Sequence, residues 1–595
     1  MCGIFGYFSS SLNEAPLSKI QSMGNSINYR GPDGQGIFNG SGVALGNQRL
    51  AIIDIEEGTQ PFISDDGQIV VVQNGEIFNH IELSSGLKGT EYECKTHSDT
   101  EVILRLYQKH GIEFISKLNG MFAIAIYDKR IDEVFLIRDR VGEKPLYYYH
   151  KDNEYIFGSE IKALIDFGIE KNLNLQALDS YLTFNYVTPP LTMFENVQHV
   201  MPGSYLQIGR SSFSEIQWWD LNNIQQVEKS EEEWVAEFNS TLEDSVKIRL
   251  RADVPFGAFL SGGVDSSTVV GLMAKNLNQP VRTFSIGFND ERYDESPFAL
   301  EAATRFNTEH VCEKVESNLL SLWGKATFHC DQPHGDVSFM PTLRVAELAS
   351  KKVKMVLTGD GADELFAGYD KYKDFFTLNG FNQSDSDFRE SYFDNLCLFS
   401  ESSRNSLYSE QVSSTICVDE VKHSVNKILD LVPHFDRVNQ ALILDTYLLL
   451  SGNNLVKPDR MGMAVSIENR APFLDYRMIE LAFKMPGKIK LKDSETKYIY
   501  KKAVSNLIGH NLTYRKKQMF TVPIGNWLKN ELREKVSELL FSELAQSRGL
   551  FNKEYLTSLY SDHCSDKKNN TREIRALMAL EIWFREFMPD YRYED

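Results

Sequence analysis

The sequence of 595 residues predicts two domains of different fold class: an α+β domain of packed antiparallel sheets, then an α/β parallel-sheet domain with added helices. Three observations support this. Short β-type runs with period-two alternation and turn residues fill the first part of the chain. Farther on, strand-like apolar runs alternate with helical segments, as in a parallel sheet. From about residue 387 the hydrophobic period is mostly helical.

The first domain is expected over residues 2–208. Its apolar runs alternate with polar positions and are separated by Gly, Asp and Asn, which favours antiparallel strands. One segment, Thr100–His110, has a helical period instead. The predicted strands are Gly42–Leu50, Gln68–Gln73, Met121–Tyr127, Glu133–Arg138, Leu146–His150 and Tyr155–Phe157.

Residues 209–233 are rich in Ser, Glu and Gln and have no sustained hydrophobic period, which predicts a linker. The second domain is then expected over residues 234–595. Its predicted strands are Pro255–Leu260, Val281–Phe288 and Val353–Leu357, and its clearest predicted helices are Ala441–Leu450, Glu531–Ala545 and Arg572–Phe587.

Composition excludes several functional classes. Apolar residues make up 42% and charged residues 25%, as in ordinary globular proteins. The net charge of -20 argues against nucleic-acid binding, which needs clustered cations. No apolar run is long enough for a membrane span, and the N-terminus lacks the features of a signal peptide. We therefore expect a cytoplasmic protein that acts on small molecules. Seven scattered cysteines indicate neither a zinc site nor disulfides.

The first candidate for chemistry is Cys2. Removal of Met1 would leave a thiol and a free α-amino group on one residue, so the amine could serve as base for its own nucleophile. An isolated cysteine at this position would more often be incidental. Its interpretation therefore depends on the motifs that follow it.

Five motifs follow Cys2 in an order and at spacings that resemble those of class II glutamine amidotransferases. They are Arg30-Gly31-Pro32-Asp33-Gly34, Arg49-Leu50-Ala51-Ile52-Ile53-Asp54, Asn74-Gly75-Glu76-Ile77-Phe78-Asn79, Ser98-Asp99-Thr100-Glu101 and Gly120-Met121-Phe122-Ala123. The resemblance implies an N-terminal-nucleophile αββα sandwich in which Cys2 hydrolyses glutamine.

Acyl transfer from glutamine requires stabilisation of an oxyanion. The Asn74 side chain and the Gly75 N–H could supply two donors, with glycine allowing close approach. The alternative for Asn-Gly is a tight hairpin turn. Arg49 is expected to bind the α-carboxylate of glutamine, and Asp99 with Glu76 its α-ammonium. The predicted glutamine site also includes Leu50, Ala51, Ile52 and Ile53.

A second candidate site begins where the predicted strand Pro255–Leu260 meets a glycine-rich turn and a helix. Backbone N–H groups at such a turn bind anions. The motif Leu260-Ser261-Gly262-Gly263-Val264-Asp265-Ser266 lacks the GK[ST] ending of a kinase-type phosphate loop. It resembles the signature of ATP pyrophosphatases, which cleave ATP between the α and β phosphates. An ordinary Ser-Gly helix cap is the alternative.

An acidic cluster, Thr358-Gly359-Asp360-Gly361-Ala362-Asp363-Glu364, follows another predicted strand. The carboxyl ends of neighbouring parallel strands meet where ligands bind in open α/β sheets. Asp265 and Asp363 are therefore the predicted ligands of a Mg²⁺ ion that bridges the ATP phosphates. Solvated surface acids are the alternative.

Further motifs extend the resemblance to glutamine-hydrolysing asparagine synthetases, from Cys2 to about Trp527. They are Pro458-Asp459-Arg460-Met461-Gly462-Met463-Ala464, Ser466-Ile467-Glu468-Asn469-Arg470-Ala471-Pro472-Phe473-Leu474-Asp475 and Lys497-Tyr498-Ile499. The resemblance implies that Leu260, Ile286, Thr358 and Gly359 line the nucleotide site. It also implies that Lys497 stabilises charge on an acyl-adenylate.

The resemblance further implies that ammonia passes through an internal channel to a β-aspartyl-AMP intermediate. Many asparagine synthetases carry Glu where this chain has Asp360. The acceptor therefore stays open between aspartate and another carboxylate, such as a uronic-acid sugar, a peptidoglycan group or a natural-product precursor. A non-catalytic binding protein is a third alternative. A homodimer is expected on general grounds.

Overall fold

The computed structural model describes residues 2–10, 14–289, 294–315, 317–516 and 524–593. Within them the chain forms two antiparallel sheets of six strands each, followed by one parallel sheet of five strands. The strands of the antiparallel part are β1 Gly3–Ser9, β2 Gly34–Gly40, β3 Val43–Arg49, β4 Phe62–Ile63, β5 Ile69–Ile77, β6 Gly120–Asp128, β7 Glu133–Arg138, β8 Tyr147–Lys151, β9 Glu154–Gly158, β10 Val197–His199, β11 Ser204–Gly209 and β12 Phe213–Gln217. Those of the parallel sheet are β13 Phe256–Phe259, β14 Arg282–Phe288, β15 Glu309–Val315, β16 Met355–Leu357 and β17 Glu468–Arg470.

Helices cover the sheets. Those of the antiparallel part are α1 Leu17–Ser26, α2 His80–Ser85, α3 Asp99–His110, α4 Ile161–Phe167 and α5 Leu175–Phe184. Those that follow are α6 Glu231–Arg249, α7 Val264–Asn276, α8 Ser296–Arg305, α9 Trp323–Cys330, α10 Phe339–Ser350, α11 Ala362–Phe366, α12 Asp370–Asn379, α13 Asp385–Leu396, α14 Glu401–Leu407, α15 Glu410–Thr415, α16 Asp419–Leu431, α17 Arg437–Asp445, α18 Val456–Met463, α19 Tyr476–Lys484, α20 Tyr498–Ile508, α21 His510–Tyr514, α22 Ile524–Lys529, α23 Arg533–Phe541, α24 Glu543–Gln546, α25 Lys553–Cys564 and α26 Thr571–Phe587. A π-helical segment, Thr446–Asn454, separates α17 from α18.

The antiparallel part has four layers, as an αββα sandwich requires. One sheet has the strand order β10-β8-β9-β1-β3-β2, and the other has β12-β11-β7-β6-β5-β4. Ile4, Val72 and Ala123 are among the buried residues between the two sheets. Helices α1 and α4 pack on the first sheet, and α3 packs on the second. The predicted fold class of this part is confirmed.

The parallel sheet has the order β15-β14-β13-β16-β17. The chain therefore adds strands first on one side of β13 and then on the other. Ligands bind in open α/β sheets at the carboxyl ends of the strands beside such a reversal. The helix α7 follows β13 and α11 follows β16, so both predicted motifs lie at this position. The α/β class with added helices is also confirmed.

Three predicted segments differ in detail. The predicted helix Ala441–Leu450 is α-helical only to Asp445 and continues as a π-helix. The segment predicted as a linker contains β12, which pairs with β11 as an edge strand. The predicted helix Glu531–Ala545 is interrupted at Ser542, whose hydroxyl accepts the N–H of Ala545 and caps α24. Serine competes for backbone hydrogen bonds in this way, and so ends α23 and begins a new helix.

Candidate active sites

The first site lies where the two antiparallel sheets meet. Cys2 immediately precedes β1, whereas Asn74 belongs to β5 of the other sheet. The Cys2 N–H donates to Asn74 Oδ1 at 3.1 Å, and Asn74 Nδ2 donates to Ser159 Oγ at 3.3 Å. One buried amide therefore connects the candidate nucleophile to both sheets.

Gly75 lies within β5 and pairs with Phe122 of β6, so Asn74-Gly75 does not form the hairpin turn considered as the alternative. Its φ is +142°, and a Cβ at this position would lie 2.0 Å from the Met121 carbonyl oxygen. Only glycine fits this position without moving the backbone. The tertiary context overrides the local preference of Asn-Gly for turns.

Burial raises the pKa of the Cys2 thiol, while hydrogen bonds with the Leu50 backbone and the Asn47 side chain oppose that effect. A neutral thiol at neutral pH requires a base for attack. The Asn47 Oδ1 is buried and has no hydrogen-bond partner among the described residues. Asn47 was not a candidate from the sequence, because it lies in the strand before the Arg49 motif.

Arg49 follows Asn47 at the end of β3. Its guanidinium donates to three backbone carbonyl oxygens: Ile55 at 3.1 Å, Ile53 at 3.3 Å and Asp54 at 2.6 Å. It forms no carboxylate ion pair within the described ranges. The cation is thus held in place without a directly paired carboxylate among the described residues, an arrangement that suits an anionic ligand.

The predicted glutamine-binding segment Leu50–Ile53 forms the loop that Arg49 supports. Leu50, Ala51 and Ile52 are buried. Asp33 Oδ2 accepts the Ala51 N–H at 2.9 Å, and the Asp253 N–H donates to the Ile52 carbonyl oxygen. The loop therefore contacts the segment that leads into the parallel sheet.

Asp99 and Glu76 are both buried, as a pair that holds an ammonium requires. Asp99 Oδ2 accepts from Gln73 Nε2 at 3.1 Å and from the Ile77 N–H at 2.9 Å. Glu76 Oε2 has no hydrogen-bond partner among the described residues. Burial, with the charges of Asp99 and Glu468, raises the pKa of Glu76 well above its usual range. A bound cation would reverse this shift.

Arg30 lies in the first of the five motifs that follow Cys2, and the sequence alone indicates no role for it. It is fully buried, and its Nε donates to the Cys2 carbonyl oxygen at 3.1 Å. Its other nitrogens donate to Glu160 at 2.8 Å and to both oxygens of Asp459, at 2.9 and 3.1 Å. Asp459 lies in α18, 429 residues away. Spacing along the chain cannot reveal such a contact.

The pair Arg30 and Asp459 is part of a buried ionic network between the antiparallel part and the parallel-sheet part. The ion pairs run from Glu160 to Lys162 and Arg460, and from those cations to Asp331. Buried charges of this kind require several partners each, because desolvation is costly.

The second site begins at the turn between β13 and α7. The Ser261 N–H donates to Ser266 Oγ at 3.2 Å, and the Gly263 N–H donates to Ser261 Oγ at 3.3 Å. These bonds hold the loop before the N-terminus of α7. Arg515 donates to the Gly262 carbonyl oxygen at 2.9 Å and pairs with Glu295 at 2.8 Å. The loop is thus preformed for an anion.

Lys497 brings the two predicted metal ligands together. Its Nζ lies 2.7 Å from both oxygens of Asp265 and 2.7 Å from Asp363 Oδ1. Lys497 is buried, and its φ of +56° is unusual for a residue with a Cβ. Such strain is found at sites where the surrounding structure fixes a functional group. Both carboxylates therefore converge on one cation.

Gly359 explains how the second acidic motif reaches the phosphate loop. A Cβ at this position would lie 2.7 Å from the Asp265 Cβ. The turn after β16 therefore contacts the loop after β13 directly, as the convergence of strand ends predicted. Thr358 is buried beside it.

Asp360 lines the same cavity and is only partly buried. Burial raises the pKa of Asp360, opposed by the Lys457 ammonium and by Thr358. Lys457 lies in α18 beside Asp459. One helix therefore presents residues to both sites.

A cavity of about 1480 Å³ contains the whole second site. Its wall includes Leu260, Ser261, Gly263, Asp265, Ser266, Ile286, Thr358, Gly359, Asp360, Asp363 and Lys497. The volume exceeds the few hundred Å³ of many ligand sites and is large enough for two small molecules side by side. Each predicted residue of the ATP site lines the cavity except Gly262, which belongs to the same loop.

Two further observations concern metals and membranes. Among the described residues there is no group of three or more His, Cys, Asp or Glu side chains arranged for a metal ion. The pair Asp265 and Asp363 nevertheless suits Mg²⁺, which takes its other ligands from phosphates and water. In the part of the chain that the structure describes, every helix is too short or too polar to cross a bilayer.

Comparison with known proteins follows the same division of the chain. A family model described as asparagine synthase matches residues 237–585, and one described as a glutamine amidotransferase domain matches residues 1–219. An asparagine synthetase (glutamine-hydrolyzing) 1 of Bacillus subtilis (strain 168) is 33% identical over 99% of this chain and 98% of its own length. Asparagine synthetase (glutamine-hydrolyzing) 3 of the same organism is 27% identical over 91% of each chain. An amidase of Penicillium rubens is also 27% identical, over 92% of this chain and 93% of its own.

Proposed function

We propose that this chain, which belongs to the asparagine synthase family, is a glutamine-dependent asparagine synthetase. In the proposed reaction, L-aspartate, L-glutamine, ATP and water give L-asparagine, L-glutamate, AMP and diphosphate. Residues 2–208 would carry the glutaminase, and residues 234–595 the synthetase, with 209–233 between them. Cytoplasmic location and a homodimer stay predictions.

The glutaminase step requires removal of Met1, which lies outside the described residues. The freed α-amine would take the thiol proton as Cys2 attacks the amide carbon of glutamine. Because the Cys2 nitrogen already donates to Asn74 Oδ1, this bond would orient the amine. Asn74 Nδ2 and the Gly75 N–H are the proposed oxyanion donors. Ammonia would leave, and water would release glutamate from the thioester.

Three charged residues support glutamine as the substrate. Among the described residues, the Arg49 guanidinium donates only to carbonyl oxygens, which suits the α-carboxylate. Glu76 has an unpartnered carboxylate oxygen within the described residues, and Asp99 lies close enough to raise its pKa. Glu76 Oε1 lies 3.6 Å from Arg470 Nη2, and an α-ammonium would further offset the cost of burying the Glu76 carboxylate.

In the synthetase site, the loop Ser261–Ser266 would bind the phosphates of ATP. Asp265 and Asp363 would hold Mg²⁺, which when bound neutralises phosphate charge. Lys497 would donate hydrogen bonds to the oxygens on which negative charge develops during adenylation and during attack by ammonia. Ammonia would displace AMP from the β-aspartyl carbon, and the proposed internal channel would keep it from protonation in water.

One observation carries the proposal. A buried Cys2 bonded to Asn74 and a cavity with converging Asp265, Asp363 and Lys497 occur in one chain, joined by buried ion pairs. Each site alone fits many reactions. Together they fit glutamine hydrolysis coupled to ATP-dependent amidation.

The acceptor is the open part of the proposal. Asp360 is one methylene shorter than the Glu found in many asparagine synthetases, and the relatives include a protein described as an amidase. The alternative is therefore amidation of a different carboxylate at the same site.

The test measures AMP and diphosphate release with glutamine, ATP and Mg²⁺, and identifies the amide by mass. L-aspartate is compared with uronic acids, peptidoglycan precursors and peptide carboxylates. We expect aspartate-dependent AMP with asparagine as product. Turnover with another acid but not with aspartate would refute the acceptor while retaining the class of reaction, and Asp360→Glu would then test its specificity.

A further inference from the structure

The cavity of the second site has a cationic wall that none of the proposed steps uses. Besides the phosphate loop and the acidic motif, the wall includes the start of α26: Thr571, Arg572 and Arg575. The first N–H groups of a helix have no partner within the helix and carry positive potential. This stretch of wall is therefore favourable for an anion.

Arg575 has the strongest unmet requirement there. It is only partly exposed, and its Nε is buried without a hydrogen-bond partner among the described residues. It forms no ion pair within that part of the chain. Leaving a buried guanidinium nitrogen unbonded is costly. Arg575 lines the cavity, so an anionic ligand there could bond the outer nitrogens of its guanidinium.

Asp336 provides an opposite charge close to Arg575. Its carboxylate accepts from the Ser338 N–H at 2.9 Å and from Ser338 Oγ at 2.8 Å. Ser338 Oγ in turn accepts from Lys457 Nζ at 3.1 Å. Burial would raise the pKa of Asp336, but Lys457, Ser338 and Arg575 together hold it below its usual value. Asp336 is therefore ionised at neutral pH.

The wall thus presents charges of both signs beside Asp360, whose carboxyl feels the Lys457 ammonium. An α-amino acid carries one carboxylate and one ammonium on the same carbon. A sugar acid lacks the ammonium, so it would bring no positive charge of its own to Asp336. A guanidinium also binds carboxylates through two parallel hydrogen bonds.

We propose that Arg575 binds the α-carboxylate of the acceptor amino acid and that Asp336 binds its α-ammonium. The side-chain carboxylate is then left for adenylation. This assignment rests on the proposed function, because it concerns the acceptor of the same site. It makes Arg575 and Asp336 determinants of specificity for an α-amino acid.

The alternative role for Arg575 is to bind a phosphate group of ATP. The phosphates have their own loop, Ser261–Ser266, with Lys497 and Arg515 beside it. If Arg575 instead binds ATP, its replacement will raise the KM for ATP. The experiment must therefore separate the two substrates.

The test uses the full-length enzyme with ammonium as nitrogen source, so that glutamine hydrolysis does not contribute. Arg575→Met should raise the KM for aspartate about 10- to 100-fold, the equivalent of a hydrogen bond to a charged group, with the KM for ATP unchanged. Arg575→Lys should give an intermediate value, because lysine keeps the charge but loses the paired geometry.

Two analogues of aspartate test each contact separately as competitive inhibitors. Succinate lacks the ammonium, so Arg575→Met should weaken it and Asp336→Asn should not. Beta-alanine lacks the α-carboxylate, so Asp336→Asn should weaken its binding and Arg575→Met should not. Equal effects on both analogues, or a raised KM for ATP, would overturn the assignment.

Arg585→Met is the matched control. It removes a guanidinium from the same helix, but Arg585 pairs with Glu581 and Glu538 and does not line the cavity. It should leave the KM for aspartate unchanged. Wild-type enzyme that makes no asparagine would refute the proposed function. Wild-type activity with an unchanged KM in Arg575→Met would refute only the role of Arg575.

Discussion

The contact between Arg30 and Asp459 predicts how the two sites depend on each other. Asp459→Asn would leave shape and size nearly unchanged but remove one charge from a fully buried pair. One of the two parallel hydrogen bonds from Arg30, at 2.9 and 3.1 Å, would then face an amide N–H. Arg30 also holds the Cys2 carbonyl oxygen, so its displacement would move the nucleophile.

The magnitude follows from burial. Removing one partner of a buried ion pair typically costs about 3–5 kcal/mol. Arg30 keeps Glu160 at 2.8 Å, so we expect the lower end, about 3 kcal/mol, in the free energy of unfolding. The network would also retain its cations Lys162 and Arg460 with one carboxylate fewer.

The assay measures glutamate, AMP and asparagine in the same reaction. In wild-type enzyme we expect equal amounts of all three. In Asp459→Asn the kcat/KM for glutamine should fall, and the ratio of glutamate to asparagine should rise. Synthesis from ammonium should be affected much less, because Cys2 does not take part in it.

Asp179→Asn is the matched control. Asp179 is equally buried and pairs with Arg404 at 2.8 Å, but it has no contact with Cys2 or Arg30. It should lower stability without changing the product ratio. Unchanged glutamine kinetics and product ratio in Asp459→Asn would refute the reasoning, as would the same change of ratio in both variants.

Four further predictions concern single residues. Cys2→Ala should abolish glutamine-dependent AMP release and spare synthesis from ammonium, and equal loss of both would contradict the two-site proposal. Gly75→Ala forces a Cβ against the Met121 carbonyl oxygen, so glutamate release should fall about a hundredfold or more, while ammonium-dependent synthesis continues. Lys497→Met should lower AMP formation about a hundredfold with either nitrogen donor and leave glutaminase activity intact; loss of glutaminase would argue against a local role. Burial, with the charge of Asp139, raises the pKa of Glu143 to about 8, so the folded protein binds this proton more tightly than the unfolded chain. The stability that Glu143 contributes is therefore complete below its unfolded pKa and is lost as pH rises through about 8. Between the unfolded pKa of Glu143 and about pH 8, the free energy of unfolding of Glu143→Gln should rise relative to wild type by up to about 1.4 kcal/mol per pH unit. Urea unfolding at several pH values measures this difference, and a difference that does not change with pH would contradict the raised pKa.

Patterning predicted β7, whose bounds Glu133–Arg138 agree in prediction and structure, although both faces of this strand are buried. It did not predict β1, Gly3–Ser9, whose sequence Gly-Ile-Phe-Gly-Tyr-Phe-Ser has no alternation of apolar and polar residues. The Asn74-Gly75 pair shows the opposite problem. Its local preference is for a turn, and only pairing with β6 makes it a strand.

The sequence predicted those residues of the candidate site that belong to short local motifs. The loop Ser261–Ser266 and the acidic motif each end a strand, so topology alone brings them together. Arg30 and Arg575 could not be assigned roles in this way. The role of Arg30 depends on Asp459, which lies 429 residues away. That of Arg575 depends on an Nε without a hydrogen-bond partner among the described residues.

The position of Lys497 indicates how the synthetase site would respond to its substrates. One ammonium and the two carboxylates of Asp265 and Asp363 leave a net negative charge at the mouth of an anion-binding loop. This charge repels phosphates until a cation offsets it. If Mg²⁺ binds with ATP at the two aspartates, it would replace Lys497 as their cationic partner. Lys497 would then be free to donate hydrogen bonds to the substrate. The same lysine would then hold the empty site together and stabilise charge in the filled one, which explains why a strained backbone at φ +56° is tolerated there.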